Sequence, residues 1–131
     1  MTLETILPAG WPRPKGYANG MVGAGRVLFV GGQVGWDENG RFADGFIAQT
    51  ERALLNVVTV VRSAGGSVED IARLVWYVVD IDLYRRSLPE LGPAYRRVMG
   101  KHFPTMAVVG VTALVEPAAL VEIEATAVLA S

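Results

Sequence analysis

Two glutamates near the C-terminus, Glu122 and Glu124, are the most promising acid–base pair in this chain. In a strand, residues two apart project to the same face. Both carboxylates therefore leave one side of an otherwise apolar segment, and Val121, Ile123, Ala125 and Ala127 face the other way. Held close together, two carboxylates push one pKa upward and create a proton donor near neutrality. The competing reading, which spacing alone favours, pairs both with cations on a neighbouring strand, Arg73 being one candidate. Tyr17 directly follows a Pro/Gly-rich arm, where its phenol either hydrogen-bonds a ligand at a cleft mouth or packs half-buried. His102 can exchange a proton near pH 7, although a lone His at a helix end more often caps carbonyls. HExxH, GxSxG and P-loop motifs are absent, and one His cannot build a His-rich metal site. Gly23-Ala24-Gly25 and Gly31-Gly32 lack GxGxxG spacing, which leaves them turn and close-packing roles.

The elements that must position these groups read as one domain over residues 1–131, with 1–16 as an irregular N-terminal arm. Three prolines and two glycines between Pro8 and Gly16 exclude a regular element in that stretch. Two strands follow, Tyr17 to Gly23 and Arg26 to Val34, with Gly25 suited to a tight hairpin. The unbroken run Val27-Leu28-Phe29-Val30 predicts a strand buried on both faces. From Ala43 to Ser63 the period turns helical. Ile47, Leu54, Val58 and Val61 form the apolar stripe, and Gln49, Glu51, Arg52, Asn56 and Arg62 lie off it. Ile71 to Ile81 reads as a strand of strong β-propensity. A second helix spans Leu83 to Gly100, with Pro89 and Pro93 at its start or at a kink. Strands at Met106 to Val115 and Leu120 to Leu129 close the chain. The order β-β-α-β-α-β-β describes an α+β domain, a mixed sheet of five or six strands backed by two helices.

Composition bounds the partners. Hydrophobic residues make up 51% of the chain, yet no apolar run approaches the roughly 18 to 20 residues that span a bilayer. The surplus points to an oligomer interface rather than to a membrane. Without cysteines there are no disulfides, thiolate metal sites or Cys nucleophile. The N-terminus shows no basic-then-apolar signal segment, so a cytoplasmic protein is expected. A net charge of −1 argues against nucleic-acid binding, which needs clustered Lys and Arg. Arg85, Arg86, Arg96, Arg97 and Lys101 read as the solvated face of the second helix.

Taken in order, a set of these residues resembles the RidA/YjgF family of reactive-intermediate deaminases. The set comprises Tyr17, Gly32-Gln33, Gln49, Leu54 to Val58, Ala64-Gly65, Tyr77-Val78-Val79-Asp80, Tyr95, Phe103-Pro104 and Val121-Glu122-Ile123-Glu124-Ala125. The likeness runs from Tyr17 onward. It implies a chorismate-mutase-like α+β fold assembled as a homotrimer, with three ligand clefts between subunits. It also implies hydrolysis of an enamine or imine to ammonia and a keto acid, with no metal or organic cofactor. Carried over by position, Glu122 would position water, Tyr17 would orient substrate, and Gly32-Gln33 would keep the strand-end pair.

Three positions depart from that pattern. The serine expected before Gly32 is Gly31, and the asparagine three residues ahead of the helix tyrosine falls at Gly92. The arginine that grips the substrate carboxylate is Met106. Arginine offers a bidentate charge-assisted fork, and methionine has no donor to replace it. The resemblance therefore implies a divergent subgroup whose small-molecule ligand is not the standard 2-imino acid. A polarizable Met, with Trp36 or Trp76 beside it, suits a flatter or more apolar ligand. A non-catalytic trimer binding a small ligand or a partner is the alternative, and ribonuclease or translation-inhibitor activity is a distant third.

Overall fold

The computed structural model describes residues 3–131. Six strands and three helices follow in order: β1 (Leu3–Ile6), β2 (Gly20–Gly23), β3 (Arg26–Val34), α1 (Phe46–Ser63), β4 (Ile71–Val78), α2 (Ile81–Arg86), α3 (Leu88–Met99), β5 (Thr105–Gly110) and β6 (Val121–Leu129). The class is α+β, as the sequence implies, but the strands divide between two sheets. β1 and β2 form a small antiparallel pair, and the main sheet runs β3-β6-β4-β5.

That division corrects two expectations. The arm over 1–16 is not irregular at its start, because Leu3 to Ile6 pairs with Gly20 to Gly23. β2 and β3 do not form the expected hairpin: β3 instead lies antiparallel to β6, with Arg26 opposite Leu129. Gly25 makes the turn with φ +151, and a side chain there would collide with the Leu129 carbonyl. Glycine at this point admits β3 beside β6.

β6 is the central strand of the fold. It is antiparallel to both β3 and β4, so those two run parallel and α1 supplies the crossover between them. β5 adds parallel to β4, reached through α2 and α3. Burial along β6 alternates strictly, and Val121, Ile123, Ala125, Ala127 and Leu129 are buried. That face packs on α1, where Leu54, Val57, Val58 and Val61 are fully buried against Ile71, Leu74 and Val78. Each such side chain contributes about 1.5–3 kcal/mol by leaving water.

The opposite sheet face is uncovered in one chain. Val27 is 54% exposed and Phe29 is 78% exposed, so the expectation that Val27 to Val30 is buried on both faces fails. The second helix is two helices, broken at Ser87, which caps the first and precedes Leu88-Pro89 of the next. Pro89 sits in the first turn of α3, where its missing N–H costs nothing, and Pro93 lies inside the helix. β5 ends at Gly110 instead of Val115, because residues 111–120 form an irregular connection after the Val111 amide bonds the Val78 carbonyl. Among the described residues, no helix is long and apolar enough to cross a membrane.

Candidate functional site

The predicted site residues fall into two groups on opposite faces of the main sheet. Register decides which residue goes where. Met106 pairs with Leu74, and Leu74 with Ala125, all on the face that packs against the helices. Glu122 pairs with Tyr77 on the uncovered face.

On the helix-side face, Met106 and Val108 of β5 and Trp76 of β4 floor a cavity of about 270 Å³. α2 contributes Tyr84, α3 contributes Leu88, Leu91, Gly92, Tyr95 and Arg96, and Phe103 closes one end. Tyr17 and Lys15 reach the mouth from the arm. Their placement follows from the backbone: the Ala18 amide donates to the Pro104 carbonyl at 3.1 Å, and Ala18 bridges to Thr105. Tyr17 lines the cavity and is 45% exposed, so it is half-buried there.

Aromatic packing stiffens the cavity wall. Tyr95 and Phe103 stack with centroids 5.2 Å apart and an interplanar angle of 11°, and Trp76 meets Tyr84 edge-on at 6.1 Å. The Tyr95 hydroxyl donates to the His102 carbonyl at 2.6 Å. Burial pushes the Tyr95 and Tyr84 hydroxyls above the usual tyrosine pKa, so both stay protonated at neutral pH. The Trp76 side chain is 3% exposed, and its indole N–H has no acceptor among the described residues. Trp36 lies elsewhere, packed on Phe42 at 5.4 Å.

On the uncovered face, Glu122, Glu124, Tyr77 and Gly32 line a shallower pocket of about 360 Å³ with Val111, Leu114 and Val115. The two carboxylates share a face, as the strand period requires. The expected pairing with a cation does not hold for Glu124. It pairs with no Arg or Lys among the described residues, and it accepts a hydrogen bond from the Tyr77 hydroxyl. That bond, followed by burial and the carboxylate charge, raises the Tyr77 pKa. Arg73 lines a separate pocket with Glu124 without forming an ion pair.

The Glu122 carboxylate lies over Gly32, and a side chain at position 32 would meet it. Nothing stands within 4 Å of where a Gly31 side chain would begin. A bulge at Gly31-Gly32 interrupts the pairing of β3 with β6, and the Gln33 amide turns back to donate to the Gly31 carbonyl at 3.2 Å. Gln33 therefore lines neither pocket. His102 is committed elsewhere, its Nε2 within 2.7 Å of the Ile71 carbonyl.

The sequence reading missed several residues. Gln49, read as lying off the apolar stripe, is 4% exposed. Its amide donates to the Ala118 carbonyl at 3.1 Å and its carbonyl accepts from the Leu120 amide at 2.8 Å, clamping the connection that leads into Glu122. Asn56 does the same for β3, donating to the Val34 and Trp36 carbonyls. Helical period cannot separate a polar residue buried by a loop from one in solvent. Arg96, assigned to a solvated helix face, is exposed as expected and also lines the aromatic cavity.

Comparison with known proteins supports the fold. A family model described as endoribonuclease L-PSP matches residues 12–129. A RutC family protein of Pyrococcus abyssi is 29% identical over 129 residues, covering 97% of this chain and 98% of that protein. The crystal structure of YyfB from Yersinia pestis, a Rid-family protein described as of unknown function, is 33% identical. It superposes with a TM-score of 0.87 over 98% of this chain and 100% of that one. The YjgF gene product of E. coli is 28% identical, with a TM-score of 0.70 over 95% and 98% of the two chains.

Proposed function

This chain belongs to the RidA/YjgF family, and from that premise we propose a homotrimer that hydrolyses an imine, an enamine or a related small metabolite in clefts completed between subunits. The observation that carries the reading is the split of the site. Tyr17, Gly92 and Met106 share one cavity, Glu122 and Gly32 another, and the sheet stands between them. A single chain cannot bring Glu122 to a ligand beside Met106; a neighbouring copy can. The exposed apolar side chains Val27, Phe29 and Val109 on the uncovered face supply a surface for that neighbour.

In this reading Tyr17 orients the substrate and Glu122 accepts a proton from the water that adds to the C=N carbon. The same proton then passes to the amine nitrogen of the carbinolamine. The carbinolamine hydroxyl then gives its proton to Glu122 as the C–N bond breaks, so that ammonia leaves, a carbonyl remains and Glu122 returns that proton to the departing ammonia. With Met106 in place of the carboxylate-gripping arginine, an ordinary 2-imino acid in the usual pose would leave its carboxylate unpaired, which is unfavourable in a partly dry cleft. The substrate is accordingly of altered specificity. The alternative is a trimer that binds a ligand without turning it over. The endoribonuclease description carries less weight for this chain, whose net charge is −1.

Light scattering on the purified protein tests the assembly, and a trimer mass is expected. A panel of freshly generated imines, assayed for ammonia release with Glu122→Gln and Tyr17→Phe alongside, tests the chemistry. Turnover that falls by about 10²-fold or more in Glu122→Gln supports catalysis. Equal background rates in wild type and both variants reduce the reading to the binding alternative.

A further inference from the structure

We propose that Arg96 is the anion anchor of the aromatic cavity, and that the ligand is a planar conjugated carboxylate held by its acid group at Arg96. The inference rests on the reading above only in taking this cavity as the ligand cleft.

The geometry begins with helix periodicity. Side chains four apart on a helix lie one above the other and lean toward its N-terminus, so Arg96 reaches back over Gly92. Its guanidinium nitrogens stand 3.3 and 3.7 Å from where a Cβ at position 92 would be. With no side chain at position 92, the arginine lies along the helix uncrowded and lines the cavity. The loss of a side chain at 92 and the loss of the cation at 106 thus leave room for a cation one helical turn away.

The charge at this rim is uncompensated. Arg85 pairs with Asp82 at 3.1 Å and Arg97 with Glu51 at 2.8 Å. Among the described residues no carboxylate pairs with Arg96, and none lines the cavity. Lys15 adds a second cation at the same mouth. A guanidinium fork matches a carboxylate with two parallel bonds.

The interior argues for a flat skeleton. Beyond the rim the walls are Trp76, Tyr84, Phe103 and Met106, aromatic faces and a thioether that reward planar apolar contact. At about 270 Å³ the cavity is at the small end of ligand pockets, which suits a single-ring acid.

Calorimetric titration with cinnamate and its neutral isostere cinnamamide tests the assignment. Wild type is expected to bind cinnamate at least tenfold tighter than cinnamamide, with the difference shrinking as salt is raised. Arg96→Gln is expected to lose tenfold or more toward cinnamate and less than twofold toward cinnamamide, with Arg96→Lys between. Arg96 is exposed, so these variants should fold, and circular dichroism checks that they do. Cinnamate affinity unchanged in Arg96→Gln overturns the proposal, as does wild type binding both probes equally or neither at millimolar concentration. Light scattering and ammonia release on wild type report separately on the trimeric hydrolase.

Discussion

Adjacent glycines on β3 should respond differently to the same substitution, and the difference measures where the Glu122 carboxylate lies. A Cβ built at Gly32 would stand 1.9 Å from Glu122 Oε2, 2.7 Å from its Cδ and 3.0 Å from its Cγ, whereas a Cβ at Gly31 meets nothing within 4 Å. Ordinary contact begins near 3.4 Å, so Gly32→Ala forces the carboxylate back by roughly 1.5 Å. Glu122 is a flexible side chain with no ion pair among the described residues, so it can swing aside. An off-rotamer swing costs about 0.5–1.5 kcal/mol. Against that stands about 0.4–1 kcal/mol gained because alanine restricts the unfolded chain more than glycine does. Gly32→Ala should therefore change stability by no more than about 1 kcal/mol, and Gly31→Ala should be neutral or slightly stabilising.

The double-mutant cycle removes the ambiguity. All three nearest atoms belong to the part of Glu122 that Glu122→Ala removes. In that background Gly32→Ala should become stabilising, giving a coupling of about 0.5–1.5 kcal/mol. Urea unfolding of the four proteins at one fixed protomer concentration reads it. Zero coupling between positions 32 and 122, or an equal coupling between 31 and 122, would refute the placement of Glu122 over Gly32. If Glu122 positions water, Gly32→Ala should also lower imine turnover by about 10²-fold, because misplacing a reacting group by about 1 Å costs that much.

Met106→Arg should raise kcat/KM for ordinary 2-imino acids by about 10-fold or more if the carboxylate grip is the missing part, read by ammonia release; no gain would implicate Gly31 and Gly92 as well. Gln49→Ala breaks the two hydrogen bonds to Ala118 and Leu120 and strands a buried carbonyl and amide. It should cost about 2–3 kcal/mol, and hydrogen exchange should accelerate over residues 111–120. The Arg97 guanidinium, hydrogen-bonded to Glu51, holds its carboxyl below the usual glutamate range. A lowered folded pKa means the contribution is present above about pH 4.5 and is lost as pH falls through the folded value. The pair is partly exposed, so screening keeps it below about 1 kcal/mol. The stability gap between wild type and Glu51→Gln should close on acidification toward pH 3, and a gap that widens there would contradict the assignment.

Much of this protein is legible in the order of its residues. The strict alternation from Val121 to Leu129 determines that Glu122 and Glu124 share a face, because the strand period is a property of the backbone alone. The helical stripe through Leu54, Val58 and Val61 likewise identifies the packed side of α1 before any partner is known. The set of residues from Tyr17 to Ala125 carried the family, and with it the fold class. Local signals left Pro89 at a helix start or a kink, and the structure puts it in the first turn of α3, where a missing N–H is harmless.

Only the tertiary structure decided what lies opposite what. Met106 and Glu122 sit on opposite faces through the registers of β5 on β4 and β4 on β6, and register is a long-range pairing that no local period encodes. The same is true of Gln49, whose burial depends on a connection more than sixty residues away. Arg96 is exposed, as its sequence suggests, and only the fold shows that it also lines the aromatic cavity beside Gly92. The sequence by itself determined the elements, their buried sides and the groups available for chemistry. The packing of strands decided that those groups lie on opposite faces of one sheet, because contacts between distant segments arise only when the chain closes on itself.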